Sequence, residues 1–396
     1  MKNQFNQSVD MQNQIRPLRS IAGMISIGLI VFLAIGVSNG NAQTPFQLSY
    51  QVTDLGVLPA KKARASIPAA INNQGQVTGT SGMSAVDESA FLYDPKSNKG
   101  TLEDLARNYG GISHGFGINE AGDVVGDATM GTSESSHAAL FKGGKIVDLG
   151  ILKGMVFSQA NGINASGMVA GFCAGKPDEN VNRAFLWTPA MGMIDIGTLG
   201  GPQAQAFGIN AFGLITGTAQ ISESSRDEIF HAFICNPFSK GIRNMIDLGT
   251  LGGDESVGMA INLNGHVVGY STLDPSSDNR VHAFLYDGMK MRDLGSLETW
   301  IAVDRSYALA VNILDQVVGY SYVLPHSRVD NPDPPTRQAA FIYIQGKMMN
   351  LNDLIGGAAK TYWLKSATGI NDKGQIVAVA QDLSTYELHA VMLTPW

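Results

Sequence analysis

One phrase, written seven times, constrains this chain more than any other feature of it. The copies are AINNQGQVTG, GINEAGDVVG, GINASGMVAG, GINAFGLITG, AINLNGHVVG, AVNILDQVVG and GINDKGQIVA, with asparagines at Asn72, Asn119, Asn164, Asn210, Asn262, Asn312 and Asn371. Successive asparagines stand 45 to 59 residues apart, a period of propeller blades rather than of helical solenoids. A closing Gly follows each Asn by seven residues, except that Ala378 takes its place in the last copy.

Two further phrases travel with each copy. One is a short apolar run headed by Ala: SAFLY, HAALF, RAFLW, HAFIC, HAFLY, AAFIY and HAVML. The other is an Asp-Leu phrase: TDLG, EDLA, VDLG, IDIG, IDLG, RDLG and NDLI. Each repeat therefore offers four short segments rich in Val, Ile and aromatics and punctuated by glycine, the signature of strands rather than helices.

The order of the phrases fixes the topology. An Asp-Leu strand, Tyr50 to Gly56, precedes the first Ile-Asn strand, and the chain ends after HAVMLTPW with no Asp-Leu strand following. The N-terminal strand thus completes the last blade. The expected fold is an all-β, seven-bladed propeller of four-stranded blades over residues 43–396, in which ring closure removes exposed sheet edges. The Ile-Asn strand belongs innermost: the residues two and four before each Asn are Ala or Gly, as in Gly258 and Ala260, with Pro68 the exception. Small side chains at period two suit a strand crowded near an axis.

Recurrence argues that several tempting residues are architectural. In Asn262-Leu263-Asn264-Gly265 the Asn and Gly occupy the first and fourth places of a tight turn, and Asp315, which replaces that Gly in one copy, tolerates the left-handed region. His137, His231, His282 and His389 head their third strands in separate blades, too far apart to converge on a metal. A hydrogen bond from each ring to a backbone group is expected instead. Asp148, Asp195, Asp247 and Asp293 are likewise too dispersed to act as a catalytic pair. His266 has no histidine counterpart in the other copies.

The first 42 residues read as an export signal. Lys2, Arg16 and Arg19 precede the apolar run Ile21 to Val37, and Gly40 and Ala42 form a small-x-small site. Cleavage after Ala42 is expected, an uncleaved anchor being the rival reading. The product would be secreted or periplasmic, with no membrane span after cleavage. The formal charge of −7 argues against nucleic acid as a partner. The two cysteines, Cys173 and Cys235, sit in different repeats and leave open both a bridge and two unpaired buried thiols.

Scaffold and candidate site separate by length and composition. The turn after Asn is constant, whereas the span from the closing Gly to the next Ala-Phe strand runs from 11 residues (Gly79 to Ala90) to 21 (Gly319 to Ala340), the longest carrying the proline-rich SYVLPHSRVDNPDPPTRQ. These loops and the connections between blades emerge on one face, where propellers commonly bind. The connections differ in chemistry and hold the candidate ligand-binding residues: Tyr109, His114, Asp254, Glu255, Trp300, Asp304, Arg305, Tyr362, Trp363 and Lys365. Aromatics and charges of this kind suit sugar rings or a peptide. No nucleophile elbow, P-loop, H-E-x-x-H or calcium loop occurs, and no cofactor fingerprint.

The combination HAFLY, DLGTLGG and GIN-x-x-G-x-VVG resembles the HAF-repeat family of predicted extracellular bacterial proteins, with His-Ala-Phe at His231–Phe233 and His282–Phe284; Ser89, Arg183 and Ala339 depart from it. The resemblance spans the mature chain and implies export and repeat architecture, and it brings no catalytic residues. The expected function is a monomeric binding or scaffold module for an envelope or extracellular glycan or protein. The alternatives are a hydrolase or lyase on extracellular polymers, with residues drawn from several blades, and a purely structural surface protein.

Overall fold

A computed structural model describes residues 48–396 apart from 60–62, 83–86, 98–99, 130–134, 177–178, 180, 223–228, 240–244, 275–279, 301–303 and 325–335. The export segment and the centre of the longest loop lie outside the described residues. Residues 48–396 form seven four-stranded antiparallel sheets, six of them in simple sequential order from inner to outer strand. Blades 1 to 6 cover 65–104, 113–148, 157–195, 204–247, 256–293 and 306–350. Blade 7 takes its three inner strands from 362–395 and its outer strand from Tyr50–Asp54, which pairs antiparallel with Leu388–Pro395. The closure expected from phrase order is present.

Each Ile-Asn strand contacts the next one around the ring, including that of blade 7 against blade 1, so these strands are innermost. The small residues four before each Asn have a more specific cause than room at an axis. A Cβ on Gly258 would strike Thr216 Oγ1 of blade 4, and one on Gly115 would strike Thr78 Oγ1 of blade 1. Two residues before Asn, a Cβ on Gly117 would lie 2.8 Å from Asn161 O of the next inner strand. Smallness therefore permits blade-to-blade approach.

The closing Gly answers to its own blade. In blade 3 a Cβ on Gly171 would meet Gln159 O and, at 2.7 Å, the ring of Phe185, which is fully buried. Phe91, Phe233, Phe284 and Phe341, the phenylalanines of the Ala-Phe phrase, are equally buried. They are the largest apolar groups in the blade interiors, each burial being worth about 2–3 kcal/mol. Blade 2 has Ala139 at the phenylalanine position, and blade 7 departs on both counts, with Ala378 and Val391. Its inner strand also carries a second bulge, at Lys365. All seven inner strands carry a bulge three residues before Asn: Ala69, Phe116, Asn161, Phe207, Met259, Leu309 and Thr368.

The repeated asparagines form the predicted turn and do more. Asn262 O accepts from Gly265 N, whose φ is 80°, and Asn262 Oδ1 accepts from the backbone N–H of Asn264 and of His266, both at 3.0 Å. The amide's other half reaches the neighbouring blade, where Asn262 Nδ2 donates to Asn312 O at 3.0 Å. The same bond links Asn72 to Asn119, Asn119 to Asn164, Asn164 to Asn210, Asn210 to Asn262, Asn312 to Asn371, and Asn371 back to Asn72. A cycle of hydrogen bonds thus closes through every blade. All seven side chains are buried, so each bond replaces water that its carbonyl no longer sees.

The two cysteines are free and buried, and burial raises their thiol pKa values, to about 11 for Cys173 and about 12 for Cys235.

Two outcomes test this architecture. Asn262→Ala strips a buried turn of its side-chain acceptor and leaves Asn312 O with only the donor of its own turn, Asp315 N, and should cost about 2–4 kcal/mol in denaturant unfolding. Asn262→Asp, which keeps the turn acceptor but not the donor, should also destabilise; a wild-type midpoint for Asn262→Asp would show that the cycle contributes nothing. Starting the chain at Val57 removes Tyr50 and Leu55, both buried, along with the clasp. It should lower Tm by about 10 °C or more.

Candidate functional site

The turns holding the asparagines and the hairpins between third and outer strands lie on one face of the ring, and the loops and blade connections on the other, as alternating antiparallel strands require. On the asparagine face a small cavity of about 150 Å³ is lined by Asn72, Asn262, Asn312 and Asn371 with Glu120 and Asp372. The variable residues are on the opposite face, whose connections are fixed by repeated polar bonds.

The first of these is a serine clamp. Ser256 Oγ, at the start of an inner strand, accepts from Ala232 N of the preceding blade at 2.8 Å and donates to Gly249 O at 2.6 Å. Ser66, Ser158 and Ser306 repeat the pattern. The second explains the histidines. His231 Nδ1 lies 2.9 Å from the Asp247 carboxylate, and Asp247 Oδ1 accepts from Gly249 N at 2.7 Å. The pairs His137–Asp148, His282–Asp293 and His389–Asp54 are equivalent, at 3.0, 2.8 and 2.7 Å. The expectation of backbone partners is therefore corrected: the partner is the aspartate of the Asp-Leu phrase, which the third and outer strands bring to the same end of the blade. His and Asp recur together because they form one unit, with Arg183 facing Asp195 at 3.9 Å in blade 3. Among the described residues no cluster of three or more metal-ligating side chains is present.

Two histidines have a second carboxylate. His282 Nε2 lies 2.8 Å from buried Asp304, which also accepts from Ser296 Oγ at 2.7 Å. Burial opposes the charge on His282, but Asp293 and Asp304 outweigh it and raise its pKa above the ordinary value. His114, in the inner strand of blade 2, sits between Asp127 at 2.6 Å and Glu88 of blade 1 at 2.9 Å. The hydrogen bond to Asp127 outweighs burial and, with Glu88, raises the His114 pKa to about 9.

An aromatic arc follows around the ring. Tyr307 of the blade 6 inner strand stacks on its cross-strand partner Tyr320, centroids 4.8 Å apart and planes 15° apart. It also meets Tyr270 of blade 5 edge-on at 4.9 Å, and Tyr322 completes the group. Gln338 Nε2 donates to the Tyr322 hydroxyl, Gln338 O accepts from Trp363 Nε1 at 2.7 Å, and the Arg337 guanidinium lies 3.2 Å over the Trp363 ring. Burial raises the pKa values of Tyr270, Tyr307 and Tyr320, and neighbouring phenols add to it.

The sequence candidates do not converge on one place. Trp363, with Arg305 and Glu255, borders the arc: the charge of Arg305 acts on Tyr307, and that of Glu255 on Tyr270. Asp254 is exposed beside Glu255, Trp300 is 54% exposed in the connection before blade 6, Asp304 is held by His282, and Lys365 occupies the second bulge of blade 7. His114 stands apart in its own carboxylate cluster. Tyr362 donates to Asp54 Oδ2 at 3.0 Å, joining the clasp, and its pKa is raised to about 12 by burial and by Asp54. Tyr109 lies away from the arc. It lines a cleft of about 570 Å³ between blades 1 and 2 with Arg107, Lys142 and Lys145, and its hydroxyl accepts from Ile146 N.

Sequence reasoning passed over Tyr270, Tyr307, Tyr320 and Tyr322. The signal for two of them was there: the residue after each closing Gly is Tyr in blades 5 and 6, but Thr80, Asp127, Phe172, Thr218 and Val379 elsewhere.

Comparison with known proteins adds little to this geometry. Residues 200–387 match a family described as a protein of unknown function (DUF3466). No curated protein matches the chain. Among solved structures, the β-propeller domain of the Trilobed protease from Pyrococcus furiosus is similar at 9% identity over 87% of this chain and 95% of that one, TM-score 0.48. Pyrococcus horikoshii acylaminoacyl peptidase matches at 9% over 85% of this chain and 52% of its own, TM-score 0.46. TolB from Acinetobacter baumannii matches at 12% over 61% of each, TM-score 0.37. These likenesses are distant and say nothing of activity. No described helix is long and apolar enough to cross a membrane.

The His114 cluster has a pH signature. Because its pKa is raised in the fold, its contribution is complete below the ordinary 6.5 and is lost as pH rises through about 9. Wild-type Tm should fall more steeply than that of His114→Gln between those values; parallel curves would count against the cluster.

Proposed function

We propose that this chain is an exported β-propeller that binds an envelope or extracellular glycan or protein through the face carrying its blade connections. One observation carries the reading. Residues that recur, namely the asparagines, serine clamps and His–Asp units, are consumed by architecture, while residues peculiar to single blades gather on that face at the ends of inner strands. A rigid scaffold bearing non-repeating aromatic and charged groups is what a binding surface requires. The export-signal reading of the first 42 residues and the resemblance to the HAF-repeat family support an address outside the cytoplasm, and nothing in the reading needs more than one copy of the chain.

A hydrolase or lyase reading would look first to His114. Both of its ring nitrogens face carboxylates, and with a pKa of about 9 the imidazole is charged at neutral pH. A charged ring so held is a poor general base. In the second cluster both ring nitrogens of His282 likewise face carboxylates, Asp293 and Asp304.

Residues 43–396, screened against glycans and envelope proteins and then assayed for turnover on any hit, should give saturable binding without product. Product formation that is lost with Glu88→Gln or Asp304→Asn, in protein of unchanged Tm, would replace the binding module by an enzyme.

A further inference from the structure

We propose that the tyrosine arc over blades 5 and 6 is a subsite for a neutral carbohydrate. This rests on the binding-face reading and assigns that face a ligand class.

Four tyrosines from two blades meet here with ring centroids 4.8 to 6.5 Å apart. Only Tyr322 has a hydroxyl partner, Gln338; the hydroxyls of Tyr270, Tyr307 and Tyr320 bond to no described residue. All three side chains are half-buried, so these phenols are partly withdrawn from water without being satisfied by protein. Beside them Arg305 Nε is buried and has no partner. Elsewhere on this face serines, histidines and aspartates close the blade connections, with Ser89 Oγ and Gln220 Oε1 as single buried exceptions, so several open polar groups gathered at one arc are a local departure.

The chemistry selects among ligands. Apolar ring surface next to hydroxyl donors and acceptors matches a sugar, which presents C–H faces edged by hydroxyl groups. Tyr307 and Tyr320 lie against each other at 15°, leaving no slot between them for a proline or aliphatic side chain of a peptide. Glu255, whose charge is felt at Tyr270, and a formal charge of −7 disfavour an anionic polymer. Arg305 then serves as a hydrogen-bond donor to a sugar hydroxyl or ring oxygen, and Trp363, roofed by Arg337, extends the aromatic track toward blade 7.

Calorimetry of residues 43–396 with cellohexaose, chitohexaose, laminarihexaose and mannohexaose, and with oligogalacturonate as the anionic control, tests this. At least one neutral hexasaccharide should bind saturably and more tightly than the control. Tyr307→Ala should weaken it by roughly tenfold. Tyr307→Phe and Tyr320→Phe, which keep the packing and so guard against a folding defect, should each weaken it several-fold at unchanged Tm. Met289→Ala, 87% exposed in the blade 5 outer hairpin, should leave it unchanged. No binding by any neutral hexasaccharide at millimolar concentration, or binding indifferent to all three tyrosine variants, overturns the proposal. A purified envelope protein whose affinity falls with Tyr307→Ala would overturn the carbohydrate class and leave the binding face standing. No saturable ligand of any class would sink both.

Discussion

The structure depends on a cycle of seven side-chain amides. Each asparagine uses its carbonyl oxygen to fold its own turn and its NH₂ to hold the next blade, so no blade's turn is independent of its neighbour's. A single side chain–backbone hydrogen bond nets about 1 kcal/mol. Seven in a closed loop, all buried, give every blade interface, the clasped one included, the same bond. Asparagine is the one residue type that meets the whole demand: aspartate lacks the donor, serine the reach, and glutamine the short stem that keeps the turn tight.

That seam explains why the rest of the repeat is so small. Blades held together at one end must pack face to face along their length, and the small residues four before Asn allow that approach, being glycine at Gly115 and Gly258, where a methyl would meet a threonine hydroxyl of the preceding blade. The bulge one residue later breaks the period-two alternation and re-aims a side chain in every inner strand. The outer clasp is a different device. Tyr50–Asp54 brings its own aspartate, which accepts from His389 and Tyr362, so the split blade is sealed by the same His–Asp unit that intact blades make internally.

Much of this was legible because repetition separates constraint from accident. Seven copies in a fixed order of phrases led to blade count, strand order and the closing strand, and the Asn-to-Gly spacing led to the turn. What stayed hidden was any bond between phrases far apart in sequence. Nothing in HAF and DLG announces that their His and Asp meet, since the pairing needs the third and outer strands in register. Likewise the NH₂ of Asn262 travels to a carbonyl 50 residues on, a step that only closure supplies. The tyrosines were missed for the opposite reason: they sit in repeat slots that other blades fill with Thr, Asp, Phe or Val, and attention to loops looked past the strands carrying them.

Departures from the repeat are not spread evenly. Blades 5 to 7 hold Asp315 in place of the turn glycine, where it accepts from Asn262 Nδ2 and from His266 and so replaces a backbone economy with an inter-blade ion pair. They hold Ala378 with its second bulge. They also hold buried Asn352, whose amide pairs in both directions with the backbone of Leu364, the residue standing where other blades begin with the clamp serine. The longest variable loop and the tyrosine arc belong to the same stretch. The departures at Asp315 and Asn352 come with compensating bonds, as scaffold residues require. Those of Tyr270, Tyr307 and Tyr320 come with hydroxyls that bond to no described residue. Ser89 Oγ and Gln220 Oε1 are single buried groups without a partner in other blades, whereas the arc gathers three phenols and Arg305 Nε at one place, where a group from outside the chain could meet them.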